Sequence, residues 1–261
     1  MMNELEKMRQ AAMDISRILD KIKQVTEGFR FDKRDDQHFL LVSLHGSMFE
    51  MTYACMHMLN IGATTCIPII VRSMIEALST MSLIASDKNN IEDVLDAFYS
   101  QRYRQAAELM KLKLEDYDMD KLKIISEECR AKSKSIRENR GEPPSISARI
   151  ERTLGPNFSI AYKMYCSDAH SDLMALESRH VVKDEAGDFG FEIFKESTLR
   201  ECINAIDVML CCLLMSTNFI SSKVTSRKKS KIKNASHKFK RFKEKYFPKE
   251  LGGNSRPFEA S

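Results

Sequence analysis

The stretch YKMYCSDAHS, residues 162–171, carries a tyrosine, a serine and a histidine at helical spacing. On a helix Tyr162, Tyr165, Cys166, Ala169, His170 and Leu173 share one stripe, and Ser167 stands one turn below His170. An imidazole at that position titrates near neutral pH and serves either as a general acid and base or as a core histidine with satisfied nitrogens. A Ser–His pair suggests a hydrolase, but a serine in mid-helix lies against its own backbone. No GxSxG turn exposes it, so serine-hydrolase chemistry is disfavoured.

The other reactive candidates are charges in apolar surroundings. Between Phe39 and Ala63 the only Asp, Glu, Lys or Arg is Glu50; from Ile61 to Ser86 there are Arg72 and Glu76; from Ile203 to Ser222 there is Asp207. Isolated buried charge is costly, so such groups must be paired, neutralised or wet. Arg72 and Glu76 lie four apart and share a helix face. The arginine's planar fork suits a carboxylate, which predicts an Arg–carboxylate network that also contacts His170. The candidate site is His170, Arg72 and Glu76, with Tyr162, Ser167 and Glu50 in support. The network has an alternative use, which is to fix helix register and nothing more.

These residues need a scaffold, and the hydrophobic pattern supplies one that is all-α: a helical bundle of about seven to eight helices followed by a basic C-terminal tail. Leu5, Met8, Ala12, Ile15, Ile18, Leu19, Ile22 and Val25 form one stripe on a first helix that Gly28 stops. A second helix starts near Asp35 or Asp36 and ends at Asn60-Ile61-Gly62. A third runs from Thr64 or Thr65 to about Ser86, with Pro68 tolerated in its first turn. Charged, one-sided helices follow at 90–115 and 118–139, then the loop RGEPPS, a short helix at 147–154, and a helix capped by Asn157 that carries the opening motif. KDEAGDFGF, 183–191, has turn chemistry, and a last long helix spans Thr198 to about Ser222. Helices 2, 3, 7 and 8 read as the centre of the bundle. Residues 1–222 form the bundle domain; residues 223–261 form a basic, partly disordered tail.

The segment IPIIVRSMIEAL (67–78), with Arg-x-x-x-Glu, and YKMYCSDAHS, with Tyr-x-x-x-x-Ser-x-x-His, together resemble an uncharacterised family of all-helical bacterial proteins of unknown function. The resemblance covers about residues 36–222 and carries over Arg72, Glu76, Tyr162, Ser167 and His170. More remotely the chain looks like the HEPN (higher eukaryote and prokaryote nucleotide-binding) superfamily, whose active members are metal-independent ribonucleases of stress and phage-defence systems. Those proteins place Arg-x(4 to 6)-His on one helix, the arginine stabilising phosphorane charge and the histidine moving the proton. This chain departs from that pattern: Lys163 precedes His170 at that distance, and Arg34 is one residue too close to His38. The resemblance implies a nucleic-acid-linked accessory or effector module that pairs as a homodimer. Its alternatives are a metal-independent endoribonuclease and a purely structural interaction module.

Charge adds a second feature. From Lys223 to Lys245 the chain holds eleven Lys and Arg against Glu244 alone, so within a total of +4 the remainder is net negative. Arg227, Lys228, Lys229, Lys231, Lys233, Lys238, Lys240, Arg241 and Lys243 are the candidate contacts to RNA or DNA, with phenylalanines interleaved for stacking. The same phenylalanines also suit the apolar edge of a docking helix, and the run suits a solvated extension.

No metal or other cofactor is expected. Only Glu177-x-x-His180 fits a carboxylate-bundle metal motif, and the chain holds nine glycines with no phosphate loop. Seven cysteines without a CxxC pair point to reduced thiols. The start has no signal region, and VMLCCLLMSTNFI (208–220) is shorter than a membrane span. A cytoplasmic protein without a transmembrane segment is the expectation.

Overall fold

The computed structural model describes residues 3–32, 34–112, 117–170, 176–177, 180–183, 187–191, 198–226 and 230–247, with the side chains of 168, 170, 191, 225, 226 and 230 excepted. These residues are all-α apart from two small strand pairs. They fall into two compact units, one comprising Met1–Ala85 and Ile146–Ser261, the other Ser86–Ser145.

The first unit begins with α1 (Glu4–Thr26), capped by the Asn3 side chain accepting from the Glu6 amide at 2.8 Å. Its apolar stripe is buried as the spacing predicts, from Met8 through Ile15 and Ile22 to Val25. Asp35 caps α2 (Asp36–Ile61) by accepting from the Gln37 and His38 amides. That helix ends at Gly62, whose φ of 78° allows its amide and that of Ala63 to reach Leu59 and Met58 carbonyls. A 3-10 turn, Thr64–Cys66, leads into α3 (Ile67–Ser86).

The second unit is a helical hairpin of α4 (Ile91–Leu112) and α5 (Met119–Arg140). Asp118 caps α5 through the Lys121 amide, and Gly141 closes it.

The first unit resumes with α6 (Ile146–Leu154) and α7 (Pro156–His170), the latter starting one residue before the expected cap because proline suits a first helical turn. The turn-rich segment forms a hairpin, β2 (Val181–Lys183) antiparallel to β3 (Phe189–Phe191). A capping box of Thr198 and Glu201 starts α8 (Leu199–Lys223). β1 (Phe29–Arg30) pairs with β4 (Thr225–Ser226), and α9 (Ser230–Tyr246) follows.

α8 is the core helix, buried on nearly every side from Leu199 to Ser221. α1 and α2 pack on it and on each other, so the first helix belongs to the centre of the bundle alongside α2 and α8. α9 packs along α1 and touches α8. The basic segment is thus helical over Ser230–Tyr246, and Ala235 and Phe242 are its buried residues. Residues Thr64–Ser86 and α8 are each long and apolar enough to cross a membrane, longer than the uncharged stretches alone suggest. Within the fold, 78% of the α8 window and 50% of the other are buried.

Candidate functional site

The i,i+4 pair on α3 forms as its spacing predicts. Arg72 Nη2 stands 3.2 Å from Glu76 Oε1, and the two side chains are 24% and 30% exposed. From α7, the Tyr162 hydroxyl donates to the same Glu76 oxygen at 3.0 Å, and the guanidinium lies 5.5 Å from the Tyr162 ring centroid. α6 holds α3 in place: Arg149 Nε donates to Ser79 Oγ at 3.2 Å, and Ser79 Oγ donates to the Glu76 carbonyl at 2.8 Å.

The electrostatics follow from this closure. The Tyr162 hydroxyl and the Glu76 carboxylate hold Arg72 above its ordinary value against the opposing effect of burial. Burial pushes Tyr162 up to about 12; Arg72 opposes this, while Cys166 and Glu76 add to it. Both groups therefore stay protonated at neutral pH, and neither serves as a base there. Arg72 Nε is buried and has no hydrogen-bond partner among the described atoms. The trio is a donor–acceptor clamp that joins α3 to α7 and leaves a guanidinium at the edge of solvent.

The remaining predicted residues divide. Ser167 is half-buried on α7 and is engaged in a contact of its own. His170 ends α7, and its side chain lies outside the described residues. Glu50 is exposed on α2, whose inward face is Leu41, His45, Met48, Thr52, Cys55 and Leu59. It is no part of the clamp, because α2 is apolar on all sides yet buries only one. Asp207 is buried as expected, but the cation it meets is Lys243 from α9, at 3.0 Å.

The cations of the basic segment have different fates. Arg227, Lys228 and Lys229 lie outside the described residues. Lys243 is directed inward to Asp207 and stacks over Phe239, with its nitrogen 4.7 Å from the ring centroid. Lys231 donates to Gln24 at 3.2 Å, and Lys245 and Tyr246 both donate to Asp14, at 2.7 and 2.9 Å. Lys233, Lys240 and Arg241 face water, and Lys238 is half-buried.

Two polar centres escaped the sequence reading. His45 is 1% exposed, with Nδ1 at 2.9 Å from Ser216 Oγ of α8 and Nε2 at 3.1 Å from Thr26 Oγ1 of α1. In the second unit, Asp96 is 1% exposed and accepts from Ser133 Oγ at 2.5 Å and from Arg137 Nε at 3.0 Å. Arg137 Nη2 also reaches Ser100 Oγ at 2.7 Å, and Arg140 pairs with Asp93 at 2.8 Å. Ser100 Oγ also lies 3.2 Å from Ser133 Oγ, so the partners 93–140, 96–137 and 100–133 keep one constant antiparallel register. That register, on a hairpin of two charged helices, is the signal that would have revealed the network.

All seven cysteines are free thiols. Burial pushes Cys55, Cys202 and Cys211 up to about 12, which makes them inert packing groups.

A family model described as a family of unknown function, DUF5677, matches residues 38–188. That range contains the Arg72–Glu76–Tyr162 clamp, Ser167 and His170, and it stops before α8 and α9. No curated protein and no solved structure shows significant similarity to the chain.

Proposed function

The chain belongs to DUF5677, a family of unknown function, and from that premise we propose that it is a nucleic-acid-binding accessory module whose contact surface is the outward side of α9. One observation carries the reading: Phe242 and Ala235 anchor α9 to the body, and Lys233, Lys240 and Arg241 remain in water with Lys238 at their margin. A rigid helix holding cations at fixed spacing loses less entropy on meeting a phosphate backbone than a free tail does. Binding is favoured over cleavage because Arg72 is already engaged by Glu76 and Tyr162, and Tyr162 does not ionise near neutral pH.

The test is a titration of the full chain into a labelled single-stranded RNA at several salt concentrations. Three phosphate contacts contribute about −2 to the log–log salt slope, and Lys233→Ala, Lys240→Ala and Arg241→Ala together should make the slope shallower by that amount. Binding that ignores salt, or no binding at low salt, overturns the reading. The same RNA, incubated with chelator, decides the ribonuclease alternative: fragments from the parent and not from His170→Ala would replace binding with catalysis.

A further inference from the structure

We propose that the seam between α1 and α9 is a phosphate-binding cleft in which Arg17 of α1 completes the basic surface of α9. This deepens the nucleic-acid reading and rests on it for the identity of the ligand, a single-stranded phosphodiester chain. The narrow part of the seam is a cleft of about 200 Å³ lined by Asp14, Arg17, Lys238, Arg241, Phe242 and Lys245. It stands beside a wider cleft of about 500 Å³, where Arg17 and Lys238 recur with Lys21 and Lys23 against Asp20 and Glu27.

Four cations and one carboxylate line the narrow part, and the carboxylate is already committed. Asp14 Oδ1 holds Arg17 at 2.6 Å, and Oδ2 takes Lys245 and Tyr246. Burial pushes the Asp14 carboxyl up, but the hydrogen bonds of Lys245 and Tyr246 and the charges of Lys245 and Arg17 prevail and leave it below its ordinary value. Asp14 therefore acts as a scaffold that aims two cations into the cleft. Among the described residues no carboxylate is paired with Lys238 or Arg241. Like charges gathered from the two ends of the chain repel one another, and an anion placed between them relieves the repulsion. Phe242, 2% exposed, supplies a low-dielectric wall that strengthens the field. One tetrahedral phosphodiester group, a monoanion, fits the narrow part, and the next group of the chain fits the wider one.

Tripolyphosphate and a labelled single-stranded RNA are titrated, at low salt, into the full chain and into Arg17→Gln, Lys238→Gln and Lys163→Gln. Arg17 is 61% exposed, so its replacement leaves the core intact, and Lys163 is an exposed lysine on α7 outside the seam. The expected result is at least five-fold weaker binding of both probes by Arg17→Gln and Lys238→Gln, with Lys163→Gln unchanged. Equal affinities for parent and Arg17→Gln overturn the cleft even if RNA still binds, and the nucleic-acid reading then survives alone. Equal losses in all three variants also overturn it, as a bulk charge effect. Tripolyphosphate bound with RNA refused keeps the cleft and makes its ligand a free polyphosphate. If the parent binds neither probe, both proposals fall.

Discussion

At the scale of single residues, His45 shows how burial and hydrogen bonding fix a protonation state. Burial lowers its pKa to about 4, so the ring is neutral at physiological pH and needs one donor and one acceptor. Thr26 and Ser216 each also donate to a backbone carbonyl, of Ile22 and Leu213 respectively. Each ring nitrogen thus faces a hydroxyl that can either accept its proton or turn its own toward it, so the neutral ring is satisfied in either tautomer. Because the folded pKa is depressed, below pH 6.5 the unfolded chain takes up a proton that the folded chain refuses. Stability is then lost as pH falls from 6.5 toward 4, by about 3 kcal/mol in all. Urea unfolding of the parent and of His45→Gln at pH 7 and pH 5 should show their gap narrowing by about 2 kcal/mol at the lower pH. A gap that is the same at both values rules out this protonation scheme. Arg72 and Glu76 were legible because an i,i+4 pair in an apolar helix has few other places to go. Glu50 was misread because apolar composition on all sides does not tell which side of a helix meets its neighbours, and Phe39, Tyr53 and Ile61 of α2 are exposed with it.

At the scale of elements, α9 is where a charge pattern conceals packing. A run of lysines reads as solvated surface, since sequence gives the count of charges and not the acid each one meets. Phe239 and Phe242 carried the opposite signal, the apolar edge of a docking helix, and the fold follows the phenylalanines. The attachment includes an ion pair with little access to water: the Asp207 and Lys243 side chains are 5% and 17% exposed. Burial raises the Asp207 carboxyl, and the charge and hydrogen bond of Lys243 only partly restrain it. Such a pair adds little net stability but is expensive to break from one side. Lys243→Met should therefore destabilise the fold by about 3 kcal/mol, with the loss shrinking in acid as Asp207 takes a proton. Adding Asp207→Leu to that variant should recover most of the loss, because no unpaired charge is left inside. Calorimetry of the two variants checks both statements, and a double variant no more stable than the single one removes the ion pair as the cause.

For the whole molecule, the helical class, most helix limits and the reduced cysteines were legible, because apolar periodicity, caps and cysteine spacing are local signals. The division into units was not. The expected boundary at 222 followed the change in charge, yet α9 belongs to the first unit and the α4–α5 hairpin forms the second. Charge distribution reports on solubility and partners, whereas unit boundaries depend on which side chains pack together. Among the described residues of the hairpin the buried apolar side chains are few, namely Ile91, Ala106 and Cys129. Its cohesion therefore rests on the Asp96 centre, where a buried carboxylate answers Ser133 and Arg137 at once. Asp96→Ala leaves a guanidinium and a hydroxyl without that acceptor, a loss of about 3 kcal/mol borne by one unit. Hydrogen exchange read along the chain should then show α4 and α5 losing protection while α1 and α8 keep theirs. If protection falls equally in all four helices, the hairpin does not open as a unit of its own. If it falls in none, the Asp96 network does not hold the hairpin together.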